Sequence, residues 1–573
     1  MAETMADKQL AWRLHGAGVE NLGGPNGPEE IPVGKPGPDQ VLARVDACGL
    51  CFSDLKIIRQ GGDHPRLYHR NLAESPVIMG HEVALTVVEV GDDLKGTYEP
   101  GQRYVVQADV YYQGKNLAFG YMLPGGFEQY VLLGDEVLRG DAGSYLIPIE
   151  RDTTGHAQAA LAEPWACVVR AYKAEPRTAL APGGVVWFVG GTTAAGEVPV
   201  LGDQFETPEH PKAIVTTDVA PELLDEIKRK CAAWGTEQIS RDGVGVDGIE
   251  ALVQELAPEG FDDIILIGAS DAAFVEKAAS TVAREGVVAL VGPAESLPVS
   301  LDVGRVHYHY TWHLGTPEPN VGKAYKPART YGWLPGGKAW FVGAAGPMGQ
   351  MHVQLAVESD APPKMVVGTD IDDQRLEHLR KRLCETARSK GIELILFNPQ
   401  KVEGGEAARF KELAPEGFDD VIVLAPVAKI VEASWPYLGQ NGVMNVFAGL
   451  PTGTMIHIDI APAGTKGQRL LGTSGSTPED LAETLSYTET GKLNTNLSVA
   501  AIGGIEAFKD GIVATQAGSF PGKIVCFPHI NMPLTGLPEL AEAKPNVAAK
   551  LGPTGEWTIE AERELLKEAK HNA

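Results

Sequence analysis

Cysteine is scarce in this chain, six among 573 residues, too few to staple it as a disulfide framework. Such usage predicts a reducing, cytoplasmic setting. Positive charge is also short: 49 Lys and Arg stand against 75 Asp and Glu, a formal balance of -26. Nucleic acids and anionic membranes both need a basic footprint, so neither is an expected partner. No apolar run approaches the ~20 residues that span a bilayer. The opening MAETMADKQLAWRLHG lacks the basic-then-apolar layout of a secretory leader. What is present is globular: 44% hydrophobic and 22% charged residues, in a length that predicts three or four domains of roughly 150 residues.

The sequence repeats itself. GGVVWFVGGTTAAGEV from Gly183 returns as GGKAWFVGAAGPMGQM from Gly336, and APEGFDDIILIGA from Ala257 returns as APEGFDDVIVLAP from Ala414. Leu314 to Thr316 (LGT) reappears at Leu471 to Thr473, and Cys231 has a counterpart in Cys384. The offset drifts only from 153 to 157 residues, so whole domains are duplicated rather than short solenoid units. Each copy alternates short apolar strands, ending in glycine turns, with charged helix-period stretches such as PELLDEIKRKCAAW. That order packs as a doubly wound parallel sheet. Before the copies, alternating runs such as VLARVDA and EVALTVVEV are broken by Gly, Pro and Asp and predict an antiparallel barrel. The expected layout is a catalytic domain at 1–182, completed by about 486–530, with copies at 183–335 and 336–485. An extension at 531–573 ends in a charged helix.

In the second copy the turn after the first strand is Ala344-Ala345-Gly346-Pro347-Met348-Gly349. Gly346 lets the backbone approach a pyrophosphate, and Gly349 lets the helix pack closely on the strand. Ala344 replaces the first glycine of the usual fingerprint, with Gly343 beside it. VVGTD places Asp370 at the end of the next strand, where a carboxylate accepts ribose hydroxyls and repels a 2′-phosphate; this favours NAD over NADP. In the first copy Thr193 stands where Gly346 does and would crowd the pyrophosphate, although Asp218 aligns with Asp370. That copy reads as structural, having lost its nucleotide.

Upstream lie Cys48-Gly49-Leu50-Cys51-Phe52-Ser53-Asp54, then Gly80-His81-Glu82, then Leu161-Ala162-Glu163-Pro164. One thiolate, one imidazole and one or two carboxylates suit an open tetrahedral zinc site, with three protein ligands and an exchangeable position. Taken alone, the CxxC is equally a redox pair or half of a structural site, but no second CxxC exists to close the latter.

Together these motifs resemble the zinc-dependent medium-chain dehydrogenases of the alcohol and polyol type, and look similar to sorbose-1-phosphate-reductase-like members. GGFEQYVLL from Gly125 and the ending IEAFKDGIVATQAGSFPGKIV match as well. The resemblance implies a GroES-like β-barrel catalytic domain followed here by two tandem Rossmann domains, where the usual family has one. It implies Cys51 and His81 as zinc ligands, with Glu163 or Glu82 as the third, and Asp54 orienting His81. Ser53 would pass on the alcohol proton. Lys56, where a relay histidine is usual, would shuttle a proton, hold a phosphate or simply face solvent. Arg375 and Thr473 join Gly346, Pro347, Met348, Gly349 and Asp370 as cofactor-binding residues. The family's four-cysteine lobe has no counterpart between Ala108 and Gly125, so one catalytic zinc and no structural zinc are expected.

The implied activity is hydride transfer between NAD(H) and a secondary alcohol or ketone of a polyol, sugar or sugar phosphate. The family pairing of nucleotide domains implies a homo-oligomer, or an internal pairing that mimics one. His64, Arg66, His69 and Arg70 form a local basic cluster that either clamps an anion or lies solvated. Alternatives are an epimerase or lyase that retains NAD, and a non-catalytic scaffold.

Overall fold

The apolar runs that end in glycine turns become strands of one sheet. The structure, a computed structural model, describes residues 7–572 except 174, 176, 203–204 and 327–331. It divides into two compact units, one of Ala171–Ser474 and one of Met1–Arg170 with Gly475–Ala573. The expected boundaries at 182 and 485 thus fall elsewhere. The connecting stretch after Arg170 is held by the nucleotide-type unit, where Asp263 accepts hydrogen bonds from Arg177 (2.9 Å) and from the Ala181 N–H (2.8 Å). Helix Pro478–Thr490 belongs instead with helix Ala162–Arg170, to which Asp480 is bound through Arg170 at 3.0 Å. Among the described residues no helix is long and apolar enough to cross a membrane.

Among the described residues, unit Ala171–Ser474 is built on one sheet of twelve strands, with a separate antiparallel pair, Pro298–Asp302 and Met455–Asp459. The first six are β1 (Val185–Val189), β2 (Ala213–Thr217), β3 (Glu237–Ser240), β4 (Phe261–Ile267), β5 (Val282–Val291) and β6 (Trp312–Thr316). The second six are β7 (Lys338–Val342), β8 (Met365–Thr369), β9 (Glu393–Phe397), β10 (Phe418–Val423), β11 (Leu438–Val446) and β12 (Arg469–Gly472). Their order is β3-β2-β1-β4-β5-β6-β12-β11-β10-β7-β8-β9. Every neighbouring pair is parallel except β6 and β12, which meet antiparallel at His313 and Leu470. Each half therefore runs 3-2-1-4-5-6 from its outer edge to the seam. Because Leu314 and Leu471 begin the same repeated triplet, His313 and Leu470 are counterparts, and a pseudo-twofold axis passes between them.

The repeated motifs are explained by what they hold. Phe261 and Phe418, both fully buried, open their strands, each worth about 1.5–3 kcal/mol of burial. The paired acids that follow tie down the chain entering the first strand of each half. Asp262 accepts the Val185 N–H and Asp419 the Lys338 N–H, both at 2.8 Å, while Asp420 accepts the Leu334 N–H at 3.1 Å. Trp187 donates to Thr217 Oγ1 (3.0 Å) as Trp340 does to Thr369 Oγ1 (2.9 Å). The halves diverge after their first strands. Helix Pro347–Glu358 follows β7, whereas the described residues of 190–212 contain no α-helix.

The other unit is built on a mainly antiparallel sheet. Strand Val41–Gly49 lies at its centre, flanked by Glu82–Val90 and by the returning strand Lys523–Cys526, and also pairs with Tyr130–Leu133. The C-terminal residues pack into this unit. Terminal helix Ile559–Asn572 carries Glu562, whose buried carboxylate accepts the N–H groups of His156 and Ala157 and so caps helix His156–Ala160. Where a cysteine lobe would lie there is a small hairpin, Tyr111–Tyr112 with Lys115–Asn116.

Candidate active site

Strand Val41–Gly49 delivers Cys51 to the N-cap of helix Phe52–Gln60, where Asp54 Oδ2 accepts the Cys51 N–H at 2.9 Å. Gly80 has φ +94, and a side chain there would meet the Phe127 ring at 2.5 Å and Cys48 Sγ at 2.8 Å. Only glycine lets the chain turn so close to the core and present His81 beside Cys51. Glu82 then opens the next strand. Ligand atoms of Cys51, His81 and Glu82 lie within 4.8 Å of one another. His81 Nδ1 is 3.7 Å from Asp54 Oδ1 in a buried setting.

The donor set fits a divalent cation. Asp54 Oδ1, His81 Nδ1 and Glu82 Oε2 are buried without a hydrogen-bond partner, a costly arrangement that a bound cation relieves by drawing the imidazole and carboxylate into place. Burial alone would lower the His81 pKa, but Asp54 and Cys51 raise it well above the ordinary value.

Glu163, on helix Ala162–Arg170, lies outside that trio of ligand atoms but feels its field. Burial and the charge of Glu82 push its carboxyl up to about 7, against the lowering influence of His81 and Lys523. Lys523, from the returning strand, is an ion-pair partner of Glu82 inside the core. Burial would lower the ammonium pKa; the Glu82 carboxylate overrides it and holds the pKa above its ordinary value. Ser53 Oγ is 3.7 Å from Cys51 Sγ.

The basic cluster is divided. Arg70 is spent on the carbonyls of Ser75, Pro76 and Met122 at 2.8–3.2 Å, and His69 is exposed, 3.5 Å from Asp63. Arg66 pairs with Asp109 at 2.6 Å and lies 5.4 Å over the Tyr121 ring. That ring sits 5.5 Å from His64 and 5.9 Å from His81. Burial, then the charges of Arg66 and Lys56, lower His64 to about 4. Lys56 and Arg66 therefore share one neighbourhood with His64, while His69 and Arg70 do not join it. Tyr121, Asp109 and Lys523 carried no sequence motif that singled them out.

In the other unit, Gly346 caps helix Pro347–Glu358. A side chain at Gly346 would meet nothing nearer than Gly343 O at 3.9 Å, whereas one at Gly349 would collide with that oxygen at 2.3 Å. One glycine leaves open space above the helix start, and the other permits its close packing. The first-turn N–H groups of Met348 and Gly349 have no helical acceptor one turn back and face the region where an anion is favoured. Asp370 closes the turn: Oδ2 accepts the Ala345 N–H (3.0 Å) and Oδ1 that of Asp372 (3.1 Å). Arg375 Nε lies 3.4 Å from Asp372. Thr473 is buried at the end of β12, with Oγ1 3.5 Å from Asn445 Oδ1. Sequence reasoning passed over Ile371 and Val427, large apolar side chains 66% and 47% exposed beyond the ends of β8 and β10.

In the first half, Asp218 adopts φ +52 and its carboxylate accepts the Gly243 N–H at 3.0 Å, away from the turn that Asp370 closes in the second half. Thr193 is buried, its Oγ1 accepting the Glu197 N–H at 3.1 Å.

A sheet of this order in one unit and a barrel-type sheet with a Cys–His–Glu cluster in the other define a medium-chain dehydrogenase fold. Residues 37–139 match the alcohol dehydrogenase GroES-like domain family. The chain is 23% identical to protein YggP of Escherichia coli (strain K12), over 88% of this chain and 84% of that one. It is 29% identical to L-sorbose 1-phosphate reductase of Klebsiella pneumoniae (49% and 70% covered) and 29% to mannitol-1-phosphate 5-dehydrogenase of Aliivibrio fischeri (43% and 56%). Among solved structures, 2R,3R-butanediol dehydrogenase of Bacillus subtilis shares the fold at TM-score 0.50 and 16% identity, over 91% of this chain and 99% of that one. The resemblance read from the sequence thus holds: the chain is a relative of the zinc-type alcohol and polyol dehydrogenases.

Proposed function

We propose that the protein is a zinc-dependent oxidoreductase that moves hydride between NAD(H) and a secondary alcohol or ketone of a polyol, sugar or sugar phosphate. The observation that carries this reading is the buried meeting of Cys51, His81 and Glu82 from separated segments. The named sugar-phosphate relatives support the substrate class, as does the Lys56–His64–Arg66 neighbourhood. The 3-2-1-4-5-6 order in each half supports two tandem Rossmann domains, of which the second carries the cofactor.

Cys51, His81 and Glu163 or Glu82 hold the metal, and Asp54 orients His81. When bound, zinc supplies Lewis acidity that stabilises negative charge on the substrate oxygen. Ser53 relays the hydroxyl proton of the substrate, accepting it as its own hydroxyl proton passes on towards the cofactor ribose. The Glu163 carboxyl, poised near neutrality, changes charge readily when a cation or substrate arrives. Gly346 to Gly349 receive the pyrophosphate, Asp370 the adenosine ribose, and Ile371 and Val427 the flat adenine.

The test is NADH formation across a panel of polyols, sugars and their phosphates, before and after chelation, with Cys51→Ala beside the wild type. Chelator-sensitive NADH formation, abolished along with bound zinc in Cys51→Ala, is expected. An active, zinc-loaded Cys51→Ala protein would sink the assignment. Substrate consumed without free NADH would redirect it to a retained-cofactor epimerase or lyase.

A further inference from the structure

The first half of the sheet reaches across the seam to the second half's strand ends. Helix Val303–Tyr308 of the first half lies against β12: a side chain at Gly472 would strike the Val306 carbonyl at 2.7 Å and His307 Cα at 2.9 Å. The reciprocal contact exists too, since a side chain at Gly315, the counterpart of Gly472, would meet Gly464 Cα at 2.8 Å and the Ala463 carbonyl at 2.9 Å. The backbones are thus equivalent, and the side chains are not. Where the second half has Gly464 and Gly467, the first has His307 and Tyr310.

Tyr310 occupies a strained position. Its φ is +54, and its counterpart Gly467 has φ +65, a conformation that suits glycine and burdens tyrosine. The ring is nevertheless fixed from both ends. Arg284 lies 5.0 Å over it. Its hydroxyl donates to the Ser474 carbonyl and lies 3.1 Å from Ser474 Oγ. His307 Nδ1 is 3.2 Å from the Val446 carbonyl. Val446 and Ser474 lie at the C-terminal ends of β11 and β12, which with β10 make up the inner strands of the sheet's second half. A doubly wound sheet receives one mononucleotide on each side of the switch point. Asp370 marks the adenosine side, so the β10–β11–β12 ends face the other mononucleotide.

We propose that the first half, though without a nucleotide turn of its own, braces the second mononucleotide subsite of its neighbour, with Tyr310 as the positioning residue that sets the Thr473–Ser474 turn. This rests on the reading that the second half carries NAD. The brace acts only on the nicotinamide side of the dinucleotide.

The test is calorimetric titration of the full-length protein with NADH and, separately, with AMP, which occupies the adenosine side alone. Tyr310→Phe keeps the ring and removes one hydroxyl; NADH affinity should fall about five- to tenfold, the loss of one half-buried hydrogen bond, with AMP affinity and Tm unchanged. Arg284→Gln, which takes the cation off the ring and leaves the hydroxyl, should weaken NADH selectively and less. Unaltered NADH binding in Tyr310→Phe, or equal loss of NADH and AMP, would overturn the brace. Asp370→Ala separates the two levels of the argument: it should weaken both ligands. If it weakens neither, the NAD reading fails and takes the brace with it.

Discussion

The two halves of the long sheet share strand order, the Trp–Thr hydrogen bond and the paired acids at the strand entry, yet differ at the turn after the first strand. After β7 a helix starts at once and Asp370 closes over it. After β1 the described chain runs without an α-helix and Asp218 is bonded elsewhere. With the proposed cofactor seat in the second half, the comparison separates what a doubly wound sheet needs in order to fold from what it would need in order to hold a dinucleotide. Buried strands and capped entries suffice for the first. Close helix packing and a glycine-lined opening belong to the second, and the sheet persists without them.

The sharpest way to break that contrast is substitution at the closing glycine. Gly349→Ala places a methyl 2.3 Å from the Gly343 carbonyl; the helix start must shift, and NADH affinity should fall by about a hundredfold, with about 1–3 kcal/mol of stability lost. Titration and thermal unfolding measure both. Next in size, Asp370→Asn should weaken NADH by about tenfold and narrow the preference over NADPH. Asp218→Asn should leave both ligands alone, and an equal effect there would show that the first half also binds cofactor.

His313 sharpens the comparison at the seam. It is fully buried with neither ring nitrogen hydrogen-bonded, and burial followed by the charge of Arg305 lowers its pKa to about 4. The unfolded chain takes up a proton near pH 6.5 that the folded chain refuses until about 4. Stability is therefore complete above 6.5 and declines as pH falls through that window, by about 1.4 kcal/mol at pH 5.5 for one such group. His313→Leu, which installs the counterpart residue, should flatten this part of the acid limb in denaturant titrations. The smallest effect belongs to Gly196→Ala. Its methyl meets open space, φ +81 costs about 1 kcal/mol, and NADH binding should not move.

Much of this was legible in the sequence because it is local. The glycine turn and the Cys51 and His81 segments each announce themselves within a dozen residues, and the repeat shows because its short segments recur almost unchanged. What was not legible depends on partners far apart in the chain. Lys523 meets Glu82 across 441 positions, and Glu562 caps a helix start 405 residues earlier, so the C-terminal extension proves integral to its unit. Arg70 left an anion clamp and a solvated loop equally open because charge is visible in sequence, while the carbonyls that occupy it are not. The strained Tyr310 was hidden for the opposite reason: its counterpart is a glycine, and only the backbone angle shows why.

The β6–β12 seam joins two sheet edges that belong to one polypeptide. An edge-to-edge pairing between separate molecules obeys mass action and parts on dilution; here the local concentration of one edge near the other is set by the intervening chain and does not change with the amount of protein. The second half therefore never has to wait for a partner molecule to cover its edge, and the seam should survive at concentrations where a bimolecular counterpart would come apart.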